Sequence, residues 1–236
     1  MIGQEAKARE LLQPVGGQAD AILTTGPIID EHAWFSASCI KYFADGAMGS
    51  RGALMMENYL FREEDGDTPH RGLEVVSRSR LLDEIPRRVR QGFSIATHAI
   101  GDQAARNVLD AYARARSEEA RVLLRLEHAQ IMHDEDIARL RQHDIIASVQ
   151  PIHMYSDSPW AHTVLDTHQL DRLYNWRSLY DNVLVAGGSD YPIDDPNPWH
   201  GIATFITRTN AAGGVIHPEQ AISRQAALAA YTEGAA

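Results

Sequence analysis

Apolar residues in this chain gather into short runs separated by longer amphipathic stretches. Five runs read as strands: SCIKYFADG at 38–46, FSIATHA at 93–99, VLLRLEHA at 122–129, IIASVQP at 145–151 and VLVAGGSD at 183–190. They favour β-branched and aromatic residues, and Asp45-Gly46 closes the first. Between the runs the apolar spacing changes to a helical period. Leu81, Leu82, Ile85 and Val89 mark a helix over 77–91 that Gly92 ends, with Pro86 expected to divide it into two pieces. Further helices are expected at 102–115, 134–142, 172–180 and 198–207. A last one spans 223–232, with Ser223 as N-cap and Gly234 as stop. Residues 3–12 read as a short helix closed by Pro14-Val15-Gly16-Gly17. The stretch DAILTTGPIIDEHAWFSASC reads as irregular, residues 46–72 as a long loop, and the segment after the fourth strand as another. Strands alternating with helices predict βαβ units around a parallel sheet, an α/β fold in a single domain spanning 1–236.

Composition narrows the partners. The 236 residues are 44% hydrophobic and carry a formal net charge of −10, which argues against nucleic acid and anionic membrane surfaces. A single cysteine, Cys39, excludes an internal disulfide framework and fits a reducing compartment, so a cytoplasmic location is expected. No apolar run is long enough to span a bilayer, and the first twenty residues lack the apolar core of a signal peptide.

Eleven histidines against five phenylalanines is the compositional outlier. In parallel α/β folds, chemistry collects at the carboxyl ends of the strands. Lys41 lies within the first strand, and His98, His128, Gln150 and Asp190 stand at or next to the ends of the other four. Two imidazoles and a carboxylate at equivalent positions suit zinc, nickel or iron. A lone strand-end histidine is as readily a hydrogen-bonded core residue, so the weight rests on the set.

The segments KYFADGAMGSRGA, THAIGDQA, RLEHAQ, SVQPIH and GGSDYPIDDPNP resemble consecutive signatures of the amidohydrolase superfamily, nearest to its N-substituted formamide deformylase-like metal-dependent hydrolases. The resemblance runs from about Ile22 to Ala236. It implies a (β/α)8 barrel of the TIM type with one or two divalent ions, zinc first among them, at its mouth. Carried over by motif, Lys41 is a metal-bridging lysine, carboxylated in many members. His98 and His128 are metal histidines, and Asp190 is a metal ligand and proton shuttle. The implied reaction is hydrolysis of an amide-like carbon–nitrogen bond in a small molecule by metal-activated water. Substrate-binding candidates are Arg51, Gln150 and His153: His153 resembles a family position facing the substrate, the alternative being a plain loop histidine, Gln150 lies beside it on the loop, and Arg51 either meets a substrate anion or pairs with an acidic loop residue.

The chain departs from that pattern, and Gly52 stands where the family usually has threonine. No His-x-His pair occurs in it. Counting back from Asp190 makes the five strands about strands four to eight. The expectation is therefore a partial barrel with its helices, lacking the first strands and the family's small β-sandwich. Such an open sheet has exposed edges through which copies can pair. The reading from another class is a non-catalytic or truncated α/β fragment that keeps the motifs and associates through those edges. A dinucleotide-binding domain is disfavoured, because THAIGDQA lacks the G-x-G-x-x-G loop. Of the remaining candidates, Asp102 is expected to cap the helix after it. Glu127 should point away from His128 and pair with an arginine. Trp160, Trp176 and Trp199 are assigned to packing, and Asp194-Asp195-Pro196 to a turn. His133, His143, His162, His168, His200 and His217 are read as solvated.

Overall fold

Five strands, β1 (Cys39–Phe43), β2 (Ser94–Ala99), β3 (Leu124–His128), β4 (Ile146–Val149) and β5 (Val185–Gly187), form one sheet in the order β1-β2-β3-β4-β5, every neighbour parallel. Sequence-consecutive parallel strands joined by helical crossovers are the winding of a barrel, and these five with their helices form part of one. The computed structural model describes residues 18–29, 32, 35–60, 66, 68–117 and 122–236. The expected helix at 3–12 and its closing residues lie outside these.

The pleat sends alternate residues to opposite faces. On one face Ile40, Tyr42, Ile95, Leu124, Leu126, Ala147 and Val149 pack into the core beneath the helices. Each such aliphatic side chain contributes about 1.5–3 kcal/mol relative to exposure. The opposite face carries Cys39, Lys41, Ala96, Arg125 and Glu127, which line a recess inside the barrel wall.

The helices, in chain order, are α1 (Gln18–Thr25), α2 (Arg78–Arg90), α3 (Asp102–Arg116), α4 (Asp134–Gln142), α5 (Pro151–Ala161), α6 (Thr167–Leu170), α7 (Trp176–Tyr180), α8 (Pro198–Thr207) and α9 (Arg224–Tyr231). Helix α1 falls where an irregular stretch was expected. Helix α2 runs unbroken through Pro86. Its stripe Leu81, Ile85 and Val89 is fully buried, and that burial outweighs the roughly 3 kcal/mol that an internal proline costs. The expected long loop after the fourth strand is instead α5, with Pro151 in its first turn, where the missing N–H is no loss. The helix expected at 172–180 shrinks to α7, because Tyr174 takes a left-handed backbone (φ 58°) just before it; α6 lies upstream of the expected range. The fifth strand is shorter than expected. A Cβ at Gly187 would stand 2.8 Å from the Tyr231 ring, which packs across the strand there. Ser223 caps α9 by accepting from Ala226 N at 3.1 Å, and Gly234 N closes on Ala229 O at 2.8 Å, as expected. No helix among the described residues is long and apolar enough to cross a membrane.

Candidate metal centre and substrate cavity

The register fixes which side chains meet above the sheet. Phe43 pairs with His98, and Ala99 with His128. Strict alternation would send His128 to the face opposite Glu127. Positive φ at His128 (77°) and Ala129 (45°) breaks the alternation, and the His128 ring swings back toward His98. The two ring centroids lie 4.4 Å apart, edge to face, and His128 stacks on His153 at 5.8 Å. Glu127 therefore shares a recess with His128, contrary to expectation, while its expected arginine partner is found: Arg125 Nε donates to Oε1 at 2.9 Å.

Two adjoining cavities meet at this point. The larger, about 500 Å³, includes Phe43, Met48, His98, His128, His153, Trp160, Asp190 and Asp194 in its lining. The smaller, about 290 Å³, holds Lys41, Glu127, His128, Gln150 and Asp190. His128 and Asp190 border both. Asp190 lies beyond β5 on a turn, at φ 56°, rather than at the strand's end. The structure thus gathers His98, His128 and Asp190 from three connections onto one rim, with Lys41 beneath. Arg51 is not part of either lining. It sits at a left-handed position (φ 53°) in a turn whose Arg51 N reaches Met48 O at 2.8 Å. Gln150 precedes α5 and donates through Nε2 to Ser148 O at 3.3 Å, and His153 lies on α5 rather than on a loop.

Burial shapes the electrostatics. It holds the His128 imidazole well below its ordinary value, helped by charge repulsion from His98, Lys41 and His153. It also lowers Lys41, against the pull of Glu127 and Asp190, and raises Asp190, against the pull of His153, Lys41 and His98. His98 is oriented by Asp45, whose Oδ1 lies 3.3 Å from His98 Nε2. Asp45 is itself fixed by three backbone donors: Leu54 N at 2.9 Å, Ile100 N at 3.1 Å and Gly101 N at 2.8 Å. Read from sequence as a strand breaker, it proves to be the anchor of the rim.

Several other expectations change. Asp102 is the first residue of α3, and its N-cap is Gly101. The Asp102 carboxylate accepts from Met56 N at 2.8 Å and pairs with His133 Nε2 at 3.0 Å, so His133 is engaged rather than solvated. His217 Nε2 meets Leu170 O at 2.9 Å, and His200 packs on Tyr155 at 4.7 Å. Trp176 is buried as expected, Trp160 lines the larger cavity, and Trp199 is 69% exposed. Asp157 and Gln130, which the sequence reading passed over, also face that cavity. His153, Asp157 and Trp160 stand at i, i+4 and i+7, a helical signal hidden by reading the segment as a loop.

The residues fit part of a divalent-cation site. His128 Nδ1 is buried without a hydrogen-bond partner among the described residues, as a group awaiting a ligand would be. Neutral imidazole and carboxylate are the donors zinc prefers. Among the described residues no three or more His, Cys, Asp or Glu side chains close into a complete coordination group.

A partial parallel barrel with imidazoles and a carboxylate at its carboxyl rim has the architecture in which chemistry gathers at the strand ends. The sequence profile described as "Amidohydrolase family" matches residues 2–236, and the chain belongs to that family. It is 36% identical to Protein LONG AFTER FAR-RED 3 of Arabidopsis thaliana over 80% of this chain and 32% of the relative. It is 33% identical to YtcJ of Bacillus subtilis (strain 168), named as an amidohydrolase, over 84% and 37%, and 30% identical to N-substituted formamide deformylase of Arthrobacter pascens over 71% and 32%. A solved structure from Pyrococcus furiosus, described as an uncharacterized metal-dependent hydrolase, superposes with a TM-score of 0.78 at 25% identity, over 99% of this chain and 49% of that one. The chain thus spans about a third of the curated relatives and half of the solved structure.

Proposed function

We propose that this chain carries the metal-holding and proton-transferring part of a hydrolase acting on an amide-like carbon–nitrogen bond of a small molecule. One observation carries the reading: His98, His128 and Asp190, from three separate strand connections, line a single cavity at the carboxyl rim of a chain in the amidohydrolase family. In this reading His98, His128 and Asp190 hold a divalent ion, zinc by donor preference, and Lys41 joins them as a carbamate. When bound, such an ion polarises the substrate carbonyl and lowers the pKa of water to about 7. Burial supports the role of Lys41, since lowering its pKa raises the share of neutral amine that can add to carbon dioxide, releasing one proton. The Asp190 carboxylate, which borders both cavities, takes a proton from the attacking water and returns it to the leaving nitrogen. Asp45 keeps the His98 ring in place while this happens. Gln150 and His153 contact the substrate from the wall, and Arg51, outside both linings, acts through the loop at 46–52.

A second reading is favoured by the incomplete coordination group: a non-catalytic α/β unit that associates with another copy through the edge strands β1 and β5. Metal analysis separates the two. The protein, loaded with zinc and dialysed, is expected to retain the ion, with His98→Ala and His128→Ala each lowering occupancy at least tenfold. Equal occupancy in parent and variants, or none in any, favours the second reading.

A further inference from the structure

The larger cavity has an uneven wall. His153, Asp157 and Trp160 project into it from one face of α5, and Asp194 meets them from the loop after β5. No lysine or arginine is among its lining residues. Asp157 is held ready: Tyr174, wholly buried behind it, donates its hydroxyl to Oδ2 at 2.9 Å, and Gln130 donates in turn to that hydroxyl. Asp194 accepts from Ser156 Oγ at 3.2 Å. An independent feature points to a ligand at the same place. His153 is 7% exposed, and its Nε2 has no hydrogen-bond partner among the described residues, the nearest acid oxygen of Asp194 standing off at 3.7 Å. A half-buried carboxylate with no lysine or arginine against it is costly, and its partial burial does raise Asp157. A positively charged group arriving beside it, with the Trp160 ring to cover its apolar part, would relieve that cost.

We propose that this helix face selects substrates of the proposed hydrolase, and that it takes amide-like molecules carrying an ammonium or amidinium group next to a flat apolar segment while turning away carboxylates. The assignment rests on the functional reading above for the reaction, but the selection itself is a property of the wall and can be measured without metal. Metal-free protein is titrated calorimetrically near neutral pH with three probes of one shape: benzylammonium, benzyl alcohol and phenylacetate. Benzylammonium is expected to bind at least tenfold more tightly than phenylacetate. Asp157→Asn keeps the shape and the Tyr174 bond, and should weaken benzylammonium about tenfold while moving benzyl alcohol less than twofold. Asp194→Asn, on the loop after β5, should weaken benzylammonium in the same selective way. Trp160→Leu should weaken benzylammonium and benzyl alcohol together. Phenylacetate binding as tightly as benzylammonium, no probe binding at all, or Asp157→Asn and Asp194→Asn leaving the ratio of the probes unchanged would overturn the proposal. Loss of zinc binding by the parent protein would sink the hydrolase reading and leave charge selection standing; zinc binding without charge selection would do the reverse.

Discussion

His128 makes acid sensitivity calculable. Its imidazole is 5% exposed and is held well below its ordinary value of 6.5, first by burial and then by the neighbouring positive groups. Between 6.5 and the folded-state value, the unfolded chain binds a proton at this position that the folded chain refuses. Stability from this group is therefore complete above about pH 6.5 and drains away as pH falls through that window. The loss is negligible near pH 7.5 and is on the order of 1 kcal/mol near pH 5.5. Against a marginal total of roughly 5–15 kcal/mol, that is a readable fraction. The assay is urea unfolding of metal-free protein at both pH values, in the parent and in His128→Asn. Asparagine removes the titration and tolerates the left-handed backbone at this position (φ 77°). Other titrating groups are common to both proteins, so the difference of differences isolates His128. The parent should lose on the order of 1 kcal/mol more than the variant on acidification. Parallel losses in the two proteins would refute the burial argument.

Further outcomes follow from single contacts. Asp45→Ala strands the three backbone N–H groups of Leu54, Ile100 and Gly101, and should cost about 3–5 kcal/mol in denaturant unfolding; a loss under about 1 kcal/mol would remove Asp45 as the anchor of the rim. Gly101→Ala drives a Cβ to 2.1 Å from Leu54 O and should cost about 1–3 kcal/mol; an unchanged melting temperature would contradict the close approach. Asp190→Asn should lower hydrolytic turnover by about a hundredfold or more in any preparation that shows it, with the melting temperature held, since the group sits on a half-buried turn. Retained turnover would exclude Asp190 as the proton carrier.

The parts of the fold that sequence made plain are those set by local patterning. The runs at 93–99 and 122–129 each keep an apolar face for the core, Ile95 in one and Leu124 and Leu126 in the other, and they end at the histidines that reach the rim. What stayed hidden depends on distant contacts or on single backbone angles. Pro86 is carried inside α2 by the burial of three neighbours, which no local rule reveals. Pro151 and Pro159 disguised α5 as a loop, and with it the alignment of His153, Asp157 and Trp160. Positive φ at His128 and Tyr174 overrides strand alternation in one place and helix continuity in the other. Asp45 showed only as a breaker, because its three donors come from residues nine and more than fifty positions away.

Zinc K-edge X-ray absorption on protein reconstituted with one equivalent of the ion reports the ligands themselves. The account predicts imidazole scattering from two histidines in the parent, reduced to one in His98→Ala and likewise in His128→Ala. A spectrum without imidazole scattering, or one that neither substitution alters, would contradict the claim that this rim holds a metal.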